Sequence, residues 1–203
     1  MFTGIVQGMG KVVKVVDEPQ FRKLTIELPE GLSSSIQLGA SIANNGCCLT
    51  VTAQNDQEVT FDLMQETLHK TNLSHLQAND QVNIERAAKV GDEIGGHTVS
   101  GHIVGQAVIT HIVPGHQQQQ IWFSIDPSWA KYILHKGFVA IDGCSLTIGE
   151  VEQDRFCVYL IPETLERTCF GHRKVDDKVN IEIDPQTQAI VDTVERVLEQ
   201  RGQ

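Results

Sequence analysis

The sequence has little of several features that would assign it to a common class of protein. Aromatic residues make up 5% of its 203 residues, only two of them are tyrosines, and lysine and arginine form no cluster. The formal net charge of -10 repels nucleic acid phosphates and anionic membranes. Binding of single-stranded nucleic acid needs a basic groove with stacking aromatics. We therefore expect no nucleic acid partner.

Long apolar runs and paired cysteine motifs are also missing. No apolar run approaches the ~20 residues of a membrane-spanning helix, and the start, Met1 to Val6, has neither the basic nor the apolar region of a signal peptide. Five cysteines make an odd number, and no two have C-x-x-C spacing, which leaves little support for a zinc site. We expect a cytoplasmic protein with reduced thiols, no membrane segment and no structural zinc site.

An internal repeat is the most informative feature that is present. At an ungapped offset of 97, residues 1–86 match residues 98–183 at 21 positions. The matches concentrate in three blocks, which begin at Gly46, Glu66 and Val82 in the first copy. A period of this length fits two whole domains rather than a solenoid. Differences between the copies then indicate what one half does that the other does not.

Each copy consists of short segments rich in β-branched residues, separated by Gly, Pro, Asn and Asp. In the first copy six strands are predicted, at residues 11–16, 23–28, 41–43, 49–52, 58–63 and 81–85. Six strands in so short a segment, without long amphipathic helices between most of them, predict a small closed barrel. The expected fold is therefore all-β, with two tandem six-stranded closed barrels.

The end of the chain changes from period two to period 3.6. Asp184 is a suitable N-cap and Pro185 a suitable first helical residue, and Ile190, Val191, Val194, Val197 and Leu198 line one side of a helix that runs to about Arg201. The helix either packs on a barrel or meets other copies of itself; we favour self-association. The predicted domains are residues 1–90, 91–184 and 185–203, with the linker at 86–96 between the barrels.

The repeat singles out several polar residues. His102 aligns with Ile5, so the fold itself does not require a histidine there, although a hydrogen-bonded core histidine is the ordinary alternative. A metal site at His97 and His102 is weakly supported, because residues five apart on a strand point to opposite faces and the two side chains would not converge on one ion. Cys48 aligns with Ser145.

Other polar positions are kept in both copies. Thr50 is kept as Thr147, and strand alternation places it on the same face as Cys48, where the pair either lines a pocket or consists of polar side chains exposed to solvent. Glu66 and Thr67 are kept as Glu163 and Thr164, which indicates either ligand contact or a turn held by these side chains.

The motifs together resemble one family. They are Met1 to Val6, the block Asn45 to Thr50, the glycines and histidines of Gly96 to His102, the block Asp142 to Thr147, and Ile161 to Leu165. In these segments the chain is similar to riboflavin synthase of the bacterial two-barrel type, over essentially its whole length. The resemblance implies Greek-key barrels and a C-terminal helix that joins three subunits, as a free homotrimer or in association with lumazine synthase.

The resemblance also implies a reaction. Two molecules of 6,7-dimethyl-8-ribityllumazine react; one transfers a four-carbon unit to the other, giving riboflavin and 5-amino-6-ribitylaminouracil without a metal or redox cofactor. The 7-methyl group must lose a proton to become a nucleophile, so orientation of two rings and proton transfer are expected to dominate. A non-catalytic antenna protein that binds lumazine or flavin is the alternative on the same fold.

Site residues follow from the matching motifs. His102 is the expected proton mover, with Ser145, Thr147 and Cys48 as polarising or nucleophilic groups. The expected N-barrel pocket is Gly4, Ile5, Val6, Cys48, Leu49, Thr50, Asp62, Leu63, Met64, Gln65, Glu66 and Thr67. The expected C-barrel pocket is Gly101, His102, Ile103, Lys136, Ser145, Leu146, Thr147, Ile161, Pro162, Glu163, Thr164, Leu165 and Glu166.

Overall fold

The first copy of the repeat folds as a closed antiparallel barrel in the computed structural model, which describes residues 1–202. Its strands are β1 (Gly8–Asp17), β2 (Phe21–Glu27), β3 (Ser41–Asn44), β4 (Cys47–Asn55), β5 (Glu58–Met64) and β6 (Gln81–Arg86). They pair in the order β1-β2-β5-β4-β3-β6, and β6 closes on β1. Between β5 and β6 lie helix α1 (Gln65–Lys70) and a 3-10 helix (Asn72–His75).

The second copy repeats this topology. Its strands are β7 (Gly105–Pro114), β8 (Gln119–Ser124), β9 (Phe138–Ile141), β10 (Cys144–Glu152), β11 (Arg155–Leu160) and β12 (Lys178–Ile183). A 3-10 helix (Pro127–Tyr132) precedes β9, and helix α2 (Pro162–Arg167) with a 3-10 helix (Cys169–His172) precedes β12. The cyclic order β10-β11-β8-β7-β12-β9 matches that of the first barrel. The prediction of two tandem barrels is confirmed.

Alternation of apolar residues explains why each barrel closes around its own core. In β5, Val59, Phe61 and Leu63 are buried while the residues between them are partly exposed. The second barrel has a larger aromatic content, with Phe123 stacked on Phe156 at 5.5 Å between ring centroids. Each barrel thus buries one apolar face, as expected for small closed barrels.

The barrels meet at two glycine turns. Gly46 and Gly143, both with positive φ, face each other so closely that a Cβ on Gly46 would lie 2.6 Å from the Gly143 nitrogen. This distance is far below ordinary van der Waals contact, so only glycine fits. The repeat therefore keeps Gly46 and Gly143 for the contact between barrels as well as for the turn.

Helix α3 (Pro185–Gln200) follows the second barrel. Asp184 caps it by accepting the Thr187 N–H at 2.9 Å, as the sequence predicts. Its polar side contacts the 3-10 helix Pro127–Tyr132 through Lys131 to Glu195 and Tyr132 to Asp192. No helix in residues 1–202 is both long and apolar enough to cross a membrane.

The apolar stripe of α3 is mostly left uncovered. Val191 packs against the second barrel's core, whereas Ile190 and Val194 are 65% and 52% exposed. Val197 and Leu198 are exposed beside them. The helix thus packs on its own barrel with one edge and still presents an apolar surface.

Candidate functional site

The segment that leads into each barrel lies on the other barrel. The Ser145 N–H in β10 donates to the Gly4 carbonyl at 2.7 Å, and the Cys48 N–H in β4 donates to the Gly101 carbonyl at 3.0 Å. Ile103 is part of the first barrel's core, and Val6 packs against the second. Each barrel's surface at Cys48 or Ser145 is therefore completed by the other copy.

A buried glutamate anchors each leading segment. Glu85 accepts hydrogen bonds from the Thr3 N–H at 2.6 Å, the Thr3 hydroxyl at 2.8 Å and the Gly4 N–H at 3.1 Å. Glu182 holds Ser100 and Gly101 in the same way. Burial raises the pKa of both carboxyls above their usual range, while these hydrogen bonds act to lower it. We call the two leading segments, residues 3–6 and 100–103, the straps. Each glutamate fixes one strap to the barrel that the strap leads into.

Glycine is required where each strap crosses a strand of the opposite barrel. Gly4 has a φ of +74°, and a Cβ there would lie 2.6 Å from the Cβ of Ser145. Gly101 has a φ of +83°, and a Cβ there would lie 2.5 Å from the Cβ of Cys48. Both conditions exclude an ordinary side chain without a shift in the backbone.

A cavity of about 210 Å³ lies where the first strap crosses the second barrel. Gly4, Ile5 and Val6 form one wall of this cavity, which we call the Ser145 site. The other wall comes from β10, α2 and the residue after α2, and consists of Cys144, Ser145, Leu146, Glu163, Thr164, Arg167 and Thr168. Seven of the predicted substrate-binding residues thus come together here.

The expected grouping of these residues is corrected in one respect. Gly4, Ile5 and Val6 were expected with Cys48, but they lie against Ser145 instead. Gly101 and Ile103 were expected with Ser145, but they lie against Cys48 and the first barrel's core. The physical reason is that each strap's carbonyl pairs with the β-strand of the opposite barrel. The predicted set His102, Ser145 and Thr147 is therefore divided, because His102 follows Gly101 on the Cys48 side.

The remaining predicted residues differ in what they can offer a ligand. Thr50 and Thr147 are exposed, and Cys48 and Ser145 are half-buried, as strand alternation predicts. Leu49, Leu63 and Ile103 point into the first barrel's core, which leaves only their backbone groups available. Asp62 pairs with Lys23 at 3.1 Å.

The helical turns after β5 and β11 carry most of the other predicted residues. Met64 is the N-cap of α1, and Gln65, Glu66 and Thr67 form its first turn. Ile161 is the N-cap of α2, and Pro162 is its first residue. Leu165 packs against the second core, and Glu166 is exposed. Lys136 occupies an exposed turn with a φ of +65° and does not line the Ser145 site.

Three residues that line the Ser145 site, Cys144, Arg167 and Thr168, were not predicted, and neither was His97 behind it. Arg167 lines the cavity and pairs with Glu163 one helical turn earlier, a spacing visible in the sequence. His97 places Nδ1 2.6 Å from the Ser145 hydroxyl oxygen and stacks on Phe138 at 5.2 Å. The segment around His97 is not a regular strand, so the strand argument applied to it was wrong.

No group of three or more His, Cys, Asp or Glu side chains within residues 1–202 is arranged to hold a metal ion. The polar groups at the Ser145 site are three hydroxyls, a thiol, a carboxylate, a guanidinium and backbone amides. Such a set can hydrogen-bond a flat, amide-rich ring and a polyhydroxyl chain.

The lumazine binding domain family matches the chain twice, over residues 3–87 and 100–184. Riboflavin synthase of Escherichia coli (strain K12) is 58% identical over 202 residues, which cover 99% of this chain and 95% of that protein. Riboflavin synthase of Chlamydia pneumoniae is 42% identical, with 100% of this chain and 99% of that protein covered.

Solved structures of LumP share the fold. LumP complexed with 6,7-dimethyl-8-(1'-D-ribityl) lumazine has a TM-score of 0.83 and 26% identity, covering 91% of this chain and 99% of that one. LumP complexed with riboflavin has a TM-score of 0.85 at the same identity, covering 91% of this chain and 100% of that one.

Proposed function

The chain belongs to the riboflavin synthase family, and from this premise we propose how its two unlike sites share the reaction. As an enzyme of this family it is a transferase that converts two molecules of 6,7-dimethyl-8-ribityllumazine into riboflavin and 5-amino-6-ribitylaminouracil. In the proposal, the Ser145 site holds one lumazine. The second lumazine lies at the Cys48 site, which we define as Cys48, Thr50, Glu66 and Thr67 with the strap Gly101 to Ile103.

The crossing of the straps is the observation that supports this proposal. It gives one chain two sites built from equivalent segments with different chemistry. Ile5 and Ser145 line one site, whereas at the other His102 follows Gly101, whose carbonyl accepts the Cys48 N–H. A reaction between two identical molecules in different roles needs two such sites. His102 is the proposed proton mover, and Ser145, Thr147 and Cys48 polarise the rings.

The two sites of one chain lie on different barrels, and in the proposal the reacting rings meet across a contact between subunits. The exposed stripe on α3, formed by Ile190, Val194, Val197 and Leu198, supports a homotrimer joined by this helix. Residues 1–90 and 91–184 are the proposed barrel domains, and residues 185–203 the trimer segment. Each active site then joins the N-terminal barrel of one subunit to the C-terminal barrel of the next.

The proposal also includes a cytoplasmic location and, as an alternative to a free trimer, association with lumazine synthase. Sedimentation of the activity in a cell extract distinguishes the two, because a free trimer sediments far more slowly than a particle containing a second enzyme. Sedimentation at the size of a single chain contradicts both.

The alternative of a non-catalytic lumazine-binding protein is less well supported. LumP is 26% identical to this chain, whereas the Escherichia coli enzyme is 58% identical. The chain also carries His102, Ser145, Thr147 and Cys48 together.

The test is to incubate the purified protein with 6,7-dimethyl-8-ribityllumazine alone, in the presence of a chelator. We expect one riboflavin and one 5-amino-6-ribitylaminouracil for every two lumazines consumed, measured by chromatography. Tight lumazine binding without product identifies the antenna alternative and overturns the proposal.

A further inference from the structure

We propose that His97 is a positioning residue that fixes the Ser145 hydroxyl as a hydrogen-bond donor toward the ring bound at the Ser145 site. The inference rests on the proposed function, because it gives the Ser145 site a specific task in the reaction. His97 does not line the cavity, so it acts on the ligand only through Ser145.

The geometry holds His97 in one place. The residue is 8% exposed, its ring stacks on Phe138 at an interplanar angle of 17°, and Nδ1 lies 2.6 Å from the Ser145 oxygen. The neighbouring Gly96 allows this approach, since a Cβ there would lie 2.6 Å from the Ser145 Cβ. A buried, stacked imidazole cannot rotate away, so the Ser145 hydroxyl has a fixed partner.

The other ring nitrogen decides which group donates. Nε2 is buried and has no hydrogen-bond partner within residues 1–202. A neutral imidazole carries one N–H and one bare nitrogen. Buried N–H groups without a partner are rarer than buried acceptors without one. The favoured tautomer therefore leaves Nε2 bare and lets Nδ1–H donate to the Ser145 oxygen.

The ring is kept neutral by its surroundings. Burial lowers the pKa of His97, while Asp184 at the start of α3 acts in the opposite direction. Phe138 of β9 and the Ser145 hydroxyl of β10, which contact the ring, carry no charge at neutral pH. The neutral, Nδ1-protonated form is thus the form that faces Ser145.

This hydrogen bond determines the direction in which the Ser145 hydroxyl donates. Because its oxygen accepts from His97, its own O–H is free to donate, and the cavity is the side that a ligand occupies. A chain of two hydrogen bonds polarises its last donor, and a donor fixed in advance stabilises charge that develops during the reaction. When a 7-methyl group loses its proton, the negative charge spreads into the ring system. Ser145 then stabilises that charge.

The second site lacks this arrangement. Cys48 replaces Ser145, and a thiol is a weak donor. His97 lies one residue before the segment that aligns with the first copy, so the aligned repeat gives Cys48 no equivalent histidine. The inference therefore assigns the charge-stabilising donor to the Ser145 site alone.

Two substitutions at His97 test this role in the full-length enzyme. His97→Phe keeps a ring that can stack on Phe138 but removes the donor, and His97→Asn keeps an N–H near the position of Nδ1. We expect His97→Phe to lower kcat by about 10- to 100-fold, which is below the effect of deleting a catalytic donor outright, with KM changed less than about twofold. His97→Asn should recover most of kcat.

A double-mutant cycle separates positioning from structure. In a Ser145→Ala background, His97→Phe should lower kcat less than about twofold further, because the group through which His97 acts has been removed. An equal fall in both backgrounds, or an unchanged kcat in His97→Phe alone, overturns the inference. Wild-type turnover measured in parallel tests the proposed function separately.

Nitrogen NMR of the wild-type enzyme gives a readout that does not depend on any variant folding. With ¹⁵N-labelled histidine, His97 should show a protonated Nδ1 and an unprotonated Nε2 at neutral pH. A protonated Nε2 overturns the inference, because Ser145 would then donate to His97 rather than to the ligand.

Discussion

Asn83 and Asn180 make the same contacts in opposite directions across the interface between the barrels. Asn83 Nδ2 donates to the Asp142 carbonyl at 2.9 Å, and Asn180 Nδ2 donates to the Asn45 carbonyl at 2.8 Å. Each side chain also accepts a backbone N–H from the opposite barrel. Both asparagines are fully buried, so an unpaired amide at either position costs about 1–3 kcal/mol.

The first prediction concerns an isolated fragment of residues 1–90. It contains Asn45, Asn72 and Asn83, so two fragments can reproduce both directions of this contact and exchange their straps. We expect a dimer that binds riboflavin and lumazine but is nearly inactive, because it lacks His102 and Ser145. Sedimentation and flavin fluorescence measure these properties. An Asn83→Ala fragment is the control and should dissociate more readily; a wild-type fragment that stays monomeric contradicts the prediction.

The second prediction concerns the apolar stripe of α3. Ile190→Asp places a charge at its most exposed member but keeps the contacts of Lys131 and Tyr132 with the same helix. We expect monomers that still bind lumazine but form riboflavin poorly. Deletion from Gln186 onward should have the same effect. Glu199→Gln on the same helix is the control. A variant that remains trimeric on a sizing column refutes the assignment.

The third prediction uses two glycines with similar φ. Gly4 (+74°) lies against Ser145, whereas a Cβ at Gly31 (+83°) would meet nothing within 4 Å. Both alanine variants should lose about 1–2 kcal/mol of stability from the left-handed backbone. Only Gly4→Ala should also lower kcat/KM, by about tenfold or more, since a 1 Å displacement at a reacting site has that scale. Equal activity in the two variants would show that the strap does not position the Ser145 site.

The fourth prediction concerns acid and the N-cap of α3. Burial acts to raise the pKa of Asp184, but hydrogen bonds from Thr187 and Gln186 outweigh it and the pKa is lowered. A depressed folded-state pKa means that the stabilisation is present above the unfolded value of 3.8 and is lost as pH falls through the lower folded value. Asp184→Asn keeps the cap without titrating.

Urea unfolding at pH 7, 4 and 2.5 measures this effect. The wild-type free energy of unfolding should fall more steeply than that of Asp184→Asn below about pH 4. Asp184→Ala should lose about 1 kcal/mol at pH 7, the usual cost of removing an N-cap. Parallel pH profiles for wild type and Asp184→Asn would contradict the prediction.

The fifth prediction concerns His102. It is exposed beside Gly101, where the strap meets Cys48. His102→Ala should lower turnover by about 10²- to 10⁴-fold, the range of general acid-base catalysis, and should weaken ligand binding far less. His111→Ala, at an exposed position on β7 of the same copy, is the control. Unchanged turnover in a folded His102→Ala enzyme would remove the proposed role.

The sequence was sufficient for the two barrels because each copy contains a complete set of strands with inward-facing apolar residues such as Val59, Phe61 and Leu63. It was also sufficient for α3, because the cap at Asp184 and the stripe are local signals. It did not reveal that Gly4 lies on Ser145. An alignment of the copies tells which residues are equivalent but not which barrel each equivalent segment contacts.

His97 was not predicted for a related reason. It lies just outside the aligned segment, so comparison of the copies did not test it, and its contact with Ser145 depends on the irregular path of residues 95–104. Helices α1 and α2 were not predicted either, since each is only six residues long and carries no buried side chain. Their Glu66 and Glu163 were nevertheless found through the repeat.

The exchange of straps between the barrels has a consequence for how such a chain arose. A single-copy ancestor with this strap could not have covered its own surface and would have needed a second, identical chain, giving two equal sites per symmetric dimer. With both copies in one chain, each site can change without the other. A difference between aligned positions, such as Ile5 in one copy and His102 in the other, could then give two identical lumazine molecules different roles in one reaction.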